Sequence, residues 1–431
     1  MTMIVTTNGS RPTVYIGRIT EITFACIASF IYGTQSLQML LGSTDQAAAG
    51  RPVAIYLIFL SIYAVTLIIL FSDLRFVRNI LLHWPLILLL LLFPFVSTLW
   101  SVRPGDTWQR SIAGFGSSCF GLYLFWRFGL TIAIRILAVA MTCAALGSLF
   151  VCLFFPHIGL MVDETWVGAW RGLFYHKNSL GAAIALATIF LAYLALTDTP
   201  IFRLLALCGL SICGLILVGS RSMTAVFTTM FCLALIVWAR AVQRSPNMLV
   251  MLTLVSTLGI GVLLFILLSF ASIDDGFALL GKKAGMSGRF PLWEQVFIFI
   301  LRKPWLGYGY EAFWNDASTE TQVIASVIRY SPFYSHNGGL ETLLNGGIVL
   351  FIVISIFIVL FLRRSWIHAR LQRSSFISGM PLVYVGFLIL SNVSESHILM
   401  RNDLIWSIAV GLSMRLSLDK TIQNYENYDH E

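Results

Sequence analysis

Apolar runs of about 20 residues recur along nearly the whole chain, each closed by charged residues or by glycine and proline, and a helix needs a run of that length to cross a bilayer. They lie near residues 19–41, 53–71, 80–100, 111–126, 131–155, 179–196, 202–219, 223–239, 248–270, 340–362, 377–394 and 403–417. The pattern predicts an all-α polytopic membrane protein with about twelve transmembrane helices. It divides the chain into a bundle of about nine spans over residues 1–270, a polar loop over 271–339, about three further spans over 340–418 and a tail over 419–431. A loop as long as 271–339 is uncommon between packed elements and usually carries function. Within it, the amphipathic run from Leu292 to Leu301 predicts a short helix lying on the membrane surface.

Composition sharpens this picture. The chain is 58% hydrophobic and 11% charged, against roughly 25% charged in soluble domains, so a soluble globular protein is excluded. The formal charge of +8 would suggest nucleic acid in a soluble protein. Here much of it is loop arginine that orients helices, and no nucleic-acid partner is expected. An even number of spans puts both termini on one side. With the termini in the cytoplasm, short cytoplasmic loops carry Arg75 and Arg78, Arg127 and Arg135, Arg203, Arg240 and Arg244, and the group Arg363, Arg364, Arg370 and Arg373. The loop 271–339 then faces outward and the tail inward. The seven cysteines all fall in apolar runs and form no CxxC pair, which favours small core hydrophobes over disulfides or thiolate metal sites. Arg11 and Arg18 precede the first apolar run without a small-residue cleavage site, so that run reads as a retained helix.

Several cations stand at outer-face ends of spans, where they do not help orientation: Arg103, Arg110, Arg171, Lys177, Arg221, Arg289 and Arg401. Cations crowded on one face suit an anionic ligand, and arginine matches phosphate oxygens bidentately. Each candidate has a plain structural alternative. Arg221, in Gly219-Ser220-Arg221-Ser222, is a snorkelling end-of-helix arginine or a fixed cation at the level of a lipid head group. Arg289 follows Ser287-Gly288 at the start of the amphipathic run, where a helix N-terminus would favour an anion. His336 lies among Tyr334, Ser335 and Asn337, with Glu341 one turn on. A lone histidine is more often structural, yet imidazole is the side chain suited to taking a proton from a sugar hydroxyl. The cluster Arg171, His176, Lys177 and Asn178 before the span at Ser179 is either an interfacial belt with a helix cap or a substrate contact. Trp100, Arg103, Trp108 and Arg110 pose the same choice. Trp293, Trp305, Tyr308 and Tyr310 could stack on sugar rings or anchor at the interface. No HExxH, DxD or GxxxxGK[ST] motif occurs, and Asp274-Asp275 alone is too weak for magnesium, so neither a metal site nor ATP-driven transport is expected. Spans poor in Asp, Glu and Lys argue against an ion-coupled transporter.

The pattern Gly288-Arg289, Leu292-Trp293, Pro304-Trp305-Leu306-Gly307-Tyr308-Gly309, Phe313, His336-Asn337, Leu340-Glu341 and Gly346-Gly347 resembles the signature region of the O-antigen ligase and O-antigen polymerase superfamily. Upstream, Gly172-Leu173-Phe174, His176-Lys177-Asn178, Leu180-Gly181 and Ser220-Arg221-Ser222 resemble it too, and Trp100-Ser101 with Pro104 is similar to the ExoQ-type exopolysaccharide polymerase branch. Two glycines after Asn337 depart from the bulkier residues more frequent in the family. The resemblance implies a metal-independent, cofactor-free glycosyltransferase of the GT-C kind in a bacterial inner membrane. Its site would be periplasmic and its substrate an undecaprenyl-pyrophosphate-linked oligosaccharide among membrane lipids, with a chain-length regulator as a conceivable partner. Carried over by motif, Arg221 and Arg289 would hold the pyrophosphate and His336 would activate or orient the acceptor hydroxyl. Arg171, His176, Lys177, Asn178, Asn337, Glu341, Trp293, Tyr308, Arg103 and Arg110 would contact substrate. The expected activity is exopolysaccharide polymerisation. The alternatives are an O-antigen ligase that uses lipid A–core as acceptor and a non-enzymatic flippase or exporter. A flippase would place charge along a central cavity rather than at one face.

Overall fold

The structure is a computed structural model that describes residues 13–41, 53–162, 166–244, 289–315, 318–328 and 330–419, together with positions 253, 256 and 259. The described residues are helical apart from loops and an isolated bridge between Leu160 and Trp170. The helices used below are α1 (Thr13–Gly33), α2 (Ser36–Leu41), α3 (Val53–Phe71), α4 (Leu74–His83), α5 (Pro85–Val96), α6 (Pro104–Phe154), α7 (Pro156–Gly159), α8 (Lys177–Thr197), α9 (Pro200–Ser220), α10 (Met223–Arg244), α11 (Arg289–Arg302), α12 (Thr319–Ile328), α13 (Gly338–Leu371), α14 (Met380–Ser394) and α15 (Leu404–Ser417).

Seven of the described helical segments are long and apolar enough to cross a membrane, or eight if the bent pair α4–α5 is one span. The differences from the expected twelve have local causes. The run 80–100 is broken at Trp84, where Pro85 starts a new helix and the chain turns by 90°. The amphipathic α4, capped by Asp73, buries Phe76 and Ile80. The runs 111–126 and 131–155 are two helical stretches that follow one another in α6, whose 51 residues would extend about 76 Å if straight, more than twice a bilayer core. It bends at Gly129 (φ 64°, ψ −170°), a conformation essentially reserved for glycine. The first run falls to α1, which ends at Gly33, and the last to the 14-residue α15. The run 248–270 and the tail beyond residue 419 lie outside the described residues, apart from the three positions named above.

Burial separates the middle of the bundle from its rim. In the membrane-length window of α8, 83% of residues are buried, against 22% in α9 and 33% in α3, which turn apolar side chains outward as lipid-facing helices do. The crossing of α6 and α15 is close because it is made of small residues. A Cβ on Gly121 would strike the Ser407 carbonyl, and one on Gly411 the carbonyl of Gly121. This packing brings the segment Glu395–Asp403, between α14 and α15, against the upper turns of α6 and the loop before α13.

Candidate functional site

The polar stretch before α13 folds on a small core of its own. In α11 the spacing Leu292, Val296, Phe299, Ile300 gives one apolar face, which packs with Tyr308, Phe313, Trp314, Ile324 and Leu344. That face fixes the other side of α11, where Arg289 lies at the first turn and Trp293 donates to the Ser335 carbonyl at 2.8 Å. Asn337 ends the loop as the N-cap of α13, with its side-chain oxygen accepting from the backbone N–H groups of Gly339 and Leu340, both at 3.0 Å. Its amide also donates to the Val393 carbonyl at 3.2 Å, tying the cap to the end of α14. His336, one residue earlier, is held at φ 54°. Glu341, a turn into α13, is buried and accepts from Trp314 Nε1 at 3.0 Å and from the Ser335 backbone N–H at 2.8 Å.

These constraints gather one cluster around Glu395, a buried carboxylate at the end of α14. Arg289 Nη2 donates to Glu395 Oε1 at 3.1 Å, while the Tyr334 hydroxyl at 3.1 Å and His336 Nδ1 at 3.3 Å meet Oε2. The Tyr334 and His336 rings lie 4.2 Å apart. Burial alone would push the Glu395 carboxyl up, but His336 and Arg289 beside it hold it below the usual carboxylate range. An ionised Glu395 fixes the proton of a neutral His336 on Nδ1 and leaves Nε2 as a proton acceptor. The His336 side chain is 22% exposed, so the imidazole stays reachable while its carboxylate partner does not. His176 faces the same charges. Burial, reinforced by Lys177, Arg289 and His336 and opposed by Glu395, pulls its imidazole down to about 4. Its Nδ1 accepts from the Asn178 backbone N–H at 3.2 Å and caps α8.

A second polar group borders a cavity of about 590 Å³. Glu311 pairs with Arg401 and receives the Arg401 backbone N–H at 3.1 Å, and Arg110 donates to the Glu311 carbonyl. Across the wall, His397 Nδ1 lies 3.0 Å from Asp403 Oδ2. Burial works against the His397 imidazolium, but Asp403 outweighs it and raises the imidazole above its ordinary range. The wall includes Tyr334 and Glu395 but not His336 or Arg289. Three non-glycine residues in these groups, Glu311, His336 and Asn402, have left-handed backbone, a strain of order 1–3 kcal/mol each that concentrates at binding and catalytic sites.

The other sequence candidates are distributed differently. Arg221 caps α9 in the left-handed region, and its guanidinium reaches the Val167 carbonyl, at 3.5 Å, rather than the Glu395 cluster. Lys177 is buried, donates to the Arg221 carbonyl at 3.1 Å and lies 3.8 Å over the Trp166 ring. Asn178 accepts from the Ser222 hydroxyl at 3.0 Å, and Arg171 is buried with Nε on the Ile158 carbonyl at 2.8 Å. Arg103 pairs with Asp106 at 3.1 Å. Tyr308 and Tyr310 are buried, with hydroxyls on the Phe299 and Leu399 carbonyls, so neither ring offers a face to a sugar. Trp305 is exposed. Among the described residues no group of three or more His, Cys, Asp or Glu is arranged to hold a metal ion.

Glu395, Tyr334, Glu311, His397 and Asp403 did not emerge as candidates from the sequence. A signal was present in Ser394-Glu395-Ser396-His397 with Arg401 and Asp403 close behind, a dense set of ionisable groups between apolar segments in a chain that is 11% charged. With this geometry established, a family model described as O-antigen ligase matches residues 206–355. The chain is also 24% identical, over 340 residues, to the exopolysaccharide production protein ExoQ of Rhizobium meliloti, an alignment covering 77% of this chain and 76% of that protein.

Proposed function

From its likeness to the O-antigen ligase and polymerase superfamily, and to an ExoQ-type relative in particular, we propose that this chain is a membrane-embedded glycosyltransferase that polymerises exopolysaccharide. In this reading it moves a nascent glycan from undecaprenyl pyrophosphate to the terminal sugar of an incoming lipid-linked repeat unit, at the periplasmic face of the inner membrane, on a GT-C-like scaffold and without a metal. The observation that carries it is the buried Glu395 carboxylate that joins Arg289 to His336.

The chemistry follows from that arrangement. The acceptor hydroxyl oxygen attacks the anomeric carbon of the donor sugar, the bond from that carbon to the pyrophosphate oxygen breaks, and the hydroxyl proton passes to His336 Nε2. Glu395 holds the imidazole in the accepting tautomer and balances the imidazolium that forms. A base of this kind contributes roughly 10²–10⁴-fold. Arg289, on the same carboxylate, meets the negative charge that develops on the leaving pyrophosphate, while Arg221 and Lys177 form a separate cationic corner between α8, α9 and α10 that would hold the pyrophosphate lipid as it enters. His176 stays neutral beside Arg289, so it adds a hydrogen-bond donor at Nε2 rather than a charge.

A ligase that hands the glycan to a different acceptor is the second reading, favoured by the description of the matching family model. Lipid-linked glycans from a deletion strain, complemented with wild type or with His336→Ala, separate the readings. Single repeat units accumulating on the outer leaflet without polymer support polymerisation. Full-length polymer stranded on the lipid indicates a ligase, and units trapped on the inner leaflet reject both.

A further inference from the structure

The cavity beside Glu395 differs in character from the cationic corner. Its volume of about 590 Å³ falls among ordinary ligand sites, which span about 300–1,000 Å³. Its charged side chains are Arg110 and Arg401 against Glu311, Glu341, Glu395 and Asp403, so carboxyl groups outnumber guanidinium groups. Arg401 is already paired with Glu311, and Arg110 with Asp106 and the Glu311 carbonyl. A pyrophosphate gains nothing in such a chamber. Buried polar atoms almost always have partners, yet Tyr32 Oη, Ser396 Oγ and His397 Nε2 are buried without one, and all three residues line this cavity. They come from α1 and from the α14–α15 segment, two distant parts of the chain that meet at one wall. The wall also carries Gln38 and the indole of Trp314. Unmet donors and acceptors around an aromatic face, with little net positive charge, are complementary to hydroxyl groups and the apolar faces of sugar rings.

We propose that this cavity is the acceptor-glycan subsite, which takes the uncharged terminal sugars of the incoming repeat unit while the pyrophosphate groups stay at the cationic corner. The assignment of the glycan as acceptor rests on the transfer reaction proposed above. Tyr32, Ser396 and His397 make the hydrogen bonds to sugar hydroxyls that the protein leaves unmade. Glu395, shared by this wall and the His336 cluster, sets the distance between the bound terminal sugar and the base.

The test uses the full-length protein purified in detergent and the lipid-free oligosaccharide released from the host's own repeat unit, with binding followed by saturation-transfer NMR. Tyr32→Phe and Ser396→Ala each delete one unpartnered atom, so thermal stability should hold or rise. Each should weaken oligosaccharide binding about threefold to tenfold, and saturating inorganic pyrophosphate should not displace the sugar. Unchanged affinity in both cavity variants, displacement by pyrophosphate, or no binding to wild type overturns the subsite. If wild type makes no polymer yet binds the oligosaccharide with the same dependence on Tyr32 and Ser396, the transfer reaction fails and the glycan site stands.

Discussion

At Glu395 a carboxylate with 7% of its side chain exposed is stable because an arginine and a histidine share it. Removing it leaves the Arg289 guanidinium, itself 13% exposed, without its counter-charge. Glu395→Ala should therefore cost about 3–5 kcal/mol of stability in a denaturation series, since a buried charge is left unpaired. Glu395→Gln also removes the counter-charge but keeps the shape and an acceptor for Arg289, so it should cost less stability than alanine, yet lose on the order of 10²-fold in polymer formation because His336 is no longer fixed with Nε2 free. Equal losses of stability in the two variants would contradict this. His176 makes a pH prediction. Its imidazole is lowered from the usual 6.5 to about 4 in the folded protein, so the unfolded chain binds the extra proton first. Its contribution is complete above pH 6.5 and is lost as pH falls toward 4, because protonation removes the Nδ1 acceptor that caps α8. Thermal stability should fall over that interval by on the order of 1–3 kcal/mol, and His176→Asn, which keeps a capping oxygen, should flatten the slope. The sequence made His336, Arg289 and His176 legible because a polar residue in an apolar chain is conspicuous. Glu395 was not legible, because one carboxylate at the end of a span looks like a boundary until the fold brings 176, 289, 334 and 336 around it.

Two long helices are broken by glycines in the same conformation, and comparing them separates strain from collision. Gly129 in α6 and Gly347 in α13 have φ of 64° and 62° with ψ of −170° and −161°. A Cβ at Gly129 would approach nothing nearer than Arg415 Nη2, at 3.7 Å, whereas one at Gly347 would strike the Trp305 carbonyl. Gly129→Ala should cost the backbone strain alone, about 1–3 kcal/mol. Gly347→Ala should cost more and also lower activity, because the break seats the loop that leads to His336, with the Ile348 backbone N–H on the Pro304 carbonyl at 2.8 Å. Similar losses for both would show that the Trp305 contact does not matter. Hydrophobic periodicity located α3, α8, α9 and α10 closely, since an apolar run bounded by charge leaves little choice. It also set 111–126 apart from 131–155, and the break at Gly129 falls in the gap between them. It likewise placed the amphipathic α11 but not the use of its apolar face, which closes a small core that takes Tyr308 out of reach.

Over the whole molecule, charge crowds where α8, α11, α13 and the α14–α15 segment meet, and apolar surface faces outward on α3 and α9. That separation suits a reaction at one membrane face with a lipid carrier alongside. Side chains 365 positions apart, Tyr32 and His397, meet at one cavity wall, a neighbourhood that spacing along the sequence does not reveal. In the proposed reaction Arg289, Glu395 and His336 transfer glycan between lipid carriers without a metal. The most direct measurement is polymer formation by purified protein supplied only with lipid-linked repeat units, in the presence of a strong chelator. Wild type should extend the units and release undecaprenyl pyrophosphate, while His336→Ala and Arg289→Ala, folded and bound to the membrane, should fall by about 10² or more. Polymer made at wild-type rates by either variant, or made by wild type only after a divalent metal is restored, would contradict it.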